Sequence, residues 1–143
     1  MSTHYQTCKT LTLAGARAAG TRAAAHASAL SLAIAIVVVD RSGGLLLAEV
    51  ADGAAPGSMD AALMKARGAA RYRSATHLTA EYLKSLPAGL ASHALSLPDL
   101  CAFQGGVPIR IGEEVIGAIG IAGGSGEQDI AIAAEAAAYM NAK

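Results

Sequence analysis

Residues 105–129 read GGVPIRIGEEVIGAIGIAGGSGEQD. Two glycine pairs bracket two apolar runs, VPIRI at 107–111 and EEVIGAIGIAG at 113–123, joined by a tight turn at IGEE. Short β-branched runs around a glycine turn predict two strands in sequence. Ser125 followed three residues later by Gln128 is a capping-box pattern, so a terminal helix is expected to start there. Ile130, Ala133, Ala134, Ala137 and Met140 give that helix an apolar stripe. The glycines also raise the question of a phosphate loop. A P-loop requires GxxxxGK[ST] and a dinucleotide turn requires GxGxxG opening a helix; GIAGGSGEQD has neither spacing, and no lysine follows. A glycine-rich turn entering a helix still offers backbone N–H groups to an anion. The simpler reading is that Gly123 and Gly124 permit positive φ and close backbone approach.

Working outward, the order of the other elements sets the fold class. Residues 10–30, TLTLAGARAAGTRAAAHASAL, are alanine-rich helix formers that Thr10 or Thr12 can cap. LAIAIVVVD at 32–40 is uniformly apolar and β-branched, as expected of a strand covered on both faces. The turn DRSGG at 40–44 and the returning run LLLAEV complete a hairpin. After the loop ADGAAPGS at 51–58, Ser58 is the expected N-cap of a helix through MDAALMKARGAARYRSA, with Asp60 in its first turn. A second helical piece is expected at THLTAEYLKSL, ending before Pro87. Residues 87–99 are read as loop with one helical turn, and LCAF at 100–103 as a further short strand. Helix, hairpin, helices, strands and a final helix do not alternate as βαβ units. The expected class is therefore α+β: one domain with a largely antiparallel five-stranded sheet flanked by helices.

Composition bounds the partners. The 143 residues are 53 % hydrophobic and 15 % charged, with net charge zero. A monomer of this size usually keeps about a quarter of its residues charged. The deficit implies surface buried against other copies of the chain. No Lys/Arg cluster is present, so nucleic acid is not an expected partner. The longest uninterrupted apolar run, Leu32 to Val39, is too short for a bilayer, which takes about 20 residues. MSTHYQTCKT lacks a basic segment followed by an apolar one, so no secretory leader is expected. Cys8 and Cys101 form no CxxC pair and are expected to be free thiols in a reducing cytoplasm.

The candidate chemistry is sparse. His4, His26, His77 and His93 are scattered without zinc-binding spacing. His26, one turn beyond Arg22, is a candidate axial ligand for a haem iron or a surface residue. No GxSxG elbow occurs. Lys65 lies seven residues after Ser58, so both project from one side of their helix. It either snorkels to solvent or pairs with Asp52 or Asp40 beside a polar pocket, where a lysine binds a carboxylate or propionate.

Taken together these segments resemble the GlcG/HbpS-like haem-binding proteins, a family also found as the C-terminal domain of PduO-type proteins. VVVDRSGGLLLAEVADGAAPGSMDAALMKARGAA carries the apolar strand, VD, glycine turn, DGA loop, serine and KA pair of that family. QGGVPIRIGEEVIGAIGIAGGSGEQDIAIAAEA carries its GG-x-P, G-x-x-x-G-A-x-G, GG and E-x-D elements. The resemblance runs from LTLAGARAAG to the terminal helix. It implies an antiparallel sheet flanked by helices, assembly into dimers up to octamers, and in some members haem. By position it marks Asp40, Asp52, Gly53, Ser58, Lys65, Gly105, Gly106, Pro108, Gly123 and Gly124 as ligand-binding candidates, with Gly117, Gly120 and Asp129 also matching. Two positions depart. Val50 stands where many members have arginine, which removes a bidentate anion-binding group. Gly68 stands where many have threonine. The expected function is an oligomeric, cytoplasmic haem- or small-ligand-binding protein. The pocket is expected between the Asp52 loop, the Lys65 helix and the glycine pairs. The alternative is an accessory enzyme of a catabolic pathway acting on a small carboxylate, with Lys65 and an aspartate such as Asp52 as acid and base. A scaffold that only assembles is a third possibility, and the sequence leaves open whether the chain catalyses anything.

Overall fold

The computed structural model describes residues 3–142; Met1 and Ser2, the start of the stretch read for a leader, lie outside the described residues. Helix α1 (Leu13–Ala29) leads to a hairpin of β1 (Ala35–Asp40) and β2 (Leu45–Val50). Helices α2 (Ser58–Arg71), α3 (Thr76–Lys84) and the single turn α4 (Leu90–Ala94) follow. Strands β3 (Gly106–Ile111) and β4 (Glu114–Ala122) then precede the terminal helix α5 (Gly126–Asn141). The sheet order is β2-β1-β4-β3, every pairing antiparallel. The class is α+β, with four strands rather than five. LCAF forms no strand: buried Cys101 lies across α2 at Gly68, where an added Cβ would stand 2.8 Å from the Cys101 Cβ. The segment packs on a helix instead of extending the sheet.

The two central strands explain why their sequences are unbroken apolar runs. Five of six residues in β1 and eight of nine in β4 are buried, since helices cover both faces. On one face α1 and α5 pack against Ile36, Val38, Ile119 and Ile121. On the other, Ala62, Ala66, Ala69 and Ala70 of α2 meet Val37, Val39, Ala118 and Ala122. Gly106 and Gly120 are register partners beneath α2. A Cβ on Gly120 would overlap the Ala62 carbonyl oxygen, and one on Gly106 would overlap that of Lys65. Backbone therefore lies on backbone at this crossing.

Local signals resolve in detail. Thr12 caps α1, its hydroxyl accepting from the Gly15 N–H at 3.0 Å. Ser125 and Gln128 form the full capping box of α5. The buried stripe of α5 is Asp129, Ile132, Ala133, Ala136, Ala137 and Met140, so Ile132 and Ala136 stand in the core where Ile130 and Ala134 were expected. Ser58 is not a cap. Gly57 holds the N-cap position with helical backbone angles, which leaves Ser58 as a buried first-turn residue. Helix α2 stops at Arg71, before the expected end at Ala75, because Arg73 adopts positive φ and turns the chain toward α3. Among the described residues no helix is long and apolar enough to cross a membrane.

Candidate functional site

Lys65 organises one end of the sheet. Its ammonium is 3.1 Å from Asp129 Oδ2 and donates to the Ile121 carbonyl oxygen at 2.8 Å. Both side chains are almost wholly buried, at 4 % exposure each. Asp129 Oδ1 accepts the Gly124 N–H at 2.9 Å. One carboxylate thus joins the start of α5, the end of β4 and, through Lys65, the middle of α2. The lysine does not pair with Asp52 or Asp40: Asp129, one turn into α5, reaches it across the end of β4. The Phe103 ring centroid lies 5.4 Å from the ammonium, within cation–π range. Gly105, with φ +121°, passes so close that an added Cβ would lie 2.6 Å from the Ile121 oxygen and 3.2 Å from the lysine nitrogen. Only glycine suits that angle.

A cleft of about 760 Å³ opens beside this pair. Met64, Leu95, Leu100, Cys101 and Phe103 give it apolar walls, and Lys65, Lys84, Gln104 and Asp129 supply polar groups. Burial pushes the Cys101 thiol up from its usual value, and the nearby Lys65 charge only partly opposes this. Cys101 is a neutral thiol at neutral pH. Lys84, on the rim, pairs with Glu81 at 3.1 Å.

The expected site residues fall into separate places. Lys65 and Gly124 line the Lys65 cleft, Gly105 and Gly106 pass against Lys65 without lining it, and Ser58 lies two turns back along α2. Asp52 instead lines a second cleft of about 440 Å³ between the end of α1 and the ends of β1 and β2, together with Glu49 and Val50. Gly53, with φ +88°, turns the chain there, while Gly123, at φ +123°, sits against the Ala33 carbonyl. Asp40 holds the hairpin turn, accepting from the N–H groups of Ser42 and Gly44 and from the Ser42 hydroxyl. Burial alone would raise its carboxyl, but these hydrogen bonds outweigh burial and hold it below the usual carboxylate range. Pro108 sits in β3, the edge strand, where a missing N–H costs nothing. His26 faces α5, its Nδ1 3.6 Å from Glu135, and lines neither cleft. No group of three or more His, Cys, Asp or Glu able to hold a metal ion occurs among the described residues.

Sequence reasoning named Asp129 only as a matching position and missed Phe103, Leu95 and Cys101 as walls of the cleft. Their segment carries no periodicity, and Gly68, which admits it, reads as a gap in a helix rather than as a docking point.

Comparison with known proteins places this architecture. A curated relative, the uncharacterized 15.0 kDa protein in the dhaT-dhaS intergenic region of Citrobacter freundii, is 34 % identical over 127 residues, covering 87 % of each chain. The crystal structure of the Klebsiella pneumoniae protein ORFY superposes with TM-score 0.90 at 30 % identity, over 100 % of this chain and 99 % of that one. The structure of a PduOC:heme complex superposes with TM-score 0.81 at 28 % identity, over 92 % and 96 %. The model of the family described as haem degrading protein HbpS-like matches residues 11–138, and the chain belongs to that family.

Proposed function

We propose that this protein binds haem in the Lys65 cleft. The observation that carries the reading is the cleft's lining. Phe103, Leu95, Leu100 and Met64 offer apolar walls for a flat ring, in a volume within the 300–1,000 Å³ range of ligand pockets. Sulfur is available to iron from Cys101 and Met64, and Lys84 stands on the rim where a propionate can be met. Bound haem would supply an iron centre, and the protein's part is to hold the ring and exclude water. Support comes also from the family and from the structural likeness to the PduOC:heme complex. The ligand candidates in this cleft are sulfur rather than imidazole, and His26 does not line it. Haemin titration should give a saturable Soret shift. Cys101→Ser should change the position of that band, and His26→Ala should leave it in place. No saturable shift in the native protein would overturn the reading.

We further propose that the protein works as a homo-oligomer in the cytoplasm. Low charge and exposed leucines support assembly, and the unpaired Cys8 and Cys101 favour a reducing compartment. The buried Lys65–Asp129 pair at the cleft wall is the one observation favouring an accessory enzyme of catabolism, acting on a small carboxylate with these groups as base and acid. Against it, both groups are already engaged by the protein's own backbone.

A further inference from the structure

The two edges of the sheet are finished differently. On β3 the outward positions are closed. The Gly106 N–H donates to the Thr76 hydroxyl at 3.0 Å, Pro108 has no N–H, and the Arg110 N–H donates to Asn141 Oδ1 at 2.8 Å. On β2 the outer edge is open. The Ala51 N–H donates to the Ile34 carbonyl at 2.9 Å, and the register Ile36↔Glu49, Val38↔Leu47 then turns Glu49 and Leu47 inward to bond β1. The N–H and C=O groups of Ala48 and Val50 therefore point away from the sheet. Both residues are exposed, and among the described residues no hydrogen bond reaches those outward groups. The register shift after Val38 bends the Leu45 end aside, so the usable edge is short, Ala48 to Val50. An edge without proline, lysine or cover is a template for another strand.

Charge selects what that strand carries. Glu49 borders the cleft of about 440 Å³ together with Asp52, and no basic residue lines it. Neither carboxylate has an ion-pair partner among the described residues. The carbonyl end of α1, at Ala27 and Ser28, faces the same space and adds the negative end of the helix dipole. Leu32, Ile34 and Ile36 give an apolar floor, which suits the aliphatic stem of a long cationic side chain. We infer that the β2 edge binds an extended peptide segment of a partner protein as an added strand, with a lysine or arginine of that segment in the Glu49–Asp52 cleft. In antiparallel addition the residue opposite Glu49 shares its face, with Cβ atoms about 5 Å apart, so its side chain overlies the cleft. The short edge supplies few main-chain bonds, and the basic anchor supplies the specificity. The inference is independent of the haem reading, because this cleft and the Lys65 cleft share no lining residue.

Fluorescence polarisation of a labelled peptide, TVRVT with both ends capped, reads binding to the full chain and should saturate. Methylating the two valine nitrogens removes the N–H groups that would meet Ala48 and Val50, and should weaken binding roughly tenfold. Ala48→Pro closes the edge as Pro108 closes β3 and should weaken the unmodified peptide to a similar extent. Ala48→Val keeps the donor and should bind as the native chain does. Glu49→Gln/Asp52→Asn should weaken TVRVT roughly threefold and leave the peptide with citrulline in place of arginine unchanged. Circular dichroism checks that each variant is folded, and the methylated peptide tests the edge on the native chain whatever Ala48→Pro does to folding. No saturable binding, or equal binding of the methylated peptide, overturns the inference. Equal binding of TVRVT to the native chain and the double variant overturns the basic anchor. If Ala48→Pro lowers the native mass of the peptide-free protein, a second copy takes the edge and the assignment to a partner peptide is overturned.

Discussion

The two faces of the sheet are built on opposite principles. The face beneath α1 and α5 is filled by Ile36, Val38, Ile119 and Ile121, large side chains that hold the helices away by their own bulk. The face beneath α2 sets Ala118, Ala122, Gly106 and Gly120 beside only two larger side chains, Val37 and Val39, and there the helix backbone rests on the strands. Large side chains give burial and tolerate trimming. Close backbone contact gives position and tolerates no added atom. The candidate site lies at the edge of the second face, where α2 must be placed closely enough for Lys65 to reach Ile121 and Asp129.

That contrast can be broken most severely at the lysine. Lys65→Met leaves Asp129 buried without its partner and should lower stability by about 3–5 kcal/mol. In a double variant with Asp129→Leu the loss should be smaller than the sum of the two singles, measured by urea unfolding. Next comes the glycine floor. Gly120→Ala adds one methyl where the Ala62 carbonyl already lies, and should cost about 3 kcal/mol by the same assay. The neighbouring residue on the other face gives the counter-test. Ile119→Val removes one methyl from a filled core and should cost about 1 kcal/mol. If the addition proves cheaper than the removal, the distinction between the faces is wrong.

The smallest effect concerns the hairpin turn at the far end of β1. The Asp40 carboxyl is held below its unfolded value, so its contribution is present above about pH 4 and is lost as pH falls through the lower folded value. Asp40→Asn should flatten that part of the acid-unfolding curve and leave the Lys65 cleft unchanged. A haemin titration of the variant that matched the native one would confirm the separation.

Much of the fold was legible because local rules and burial agree. β1 and β4 are unbroken apolar runs because helices cover both their faces, and the capping box of Ser125 and Gln128 marks the start of α5 directly. Ser58 misled because a serine before a helix carries the cap signal whether or not its backbone leaves the helix. LCAF misled because a short apolar run reads alike whether it pairs with a strand or packs on a helix. The site was legible in part. Lys65 announced itself as a lone cation among small residues, whereas its partner lies 64 residues on, a separation no spacing rule spans.

By itself the sequence determined the principal helices, the hairpin, the last two strands and the antiparallel class, since periodicity, turn chemistry and side-chain size act over a few residues. Only the tertiary structure decided that Lys65 pairs with Asp129 and that Asp52 belongs to a different cleft. It alone showed that the residues around Cys101 form a wall rather than a strand. Those outcomes depend on which helix crosses which strand and at what distance. At this crossing the distance is set by the atoms that Gly106 and Gly120 lack.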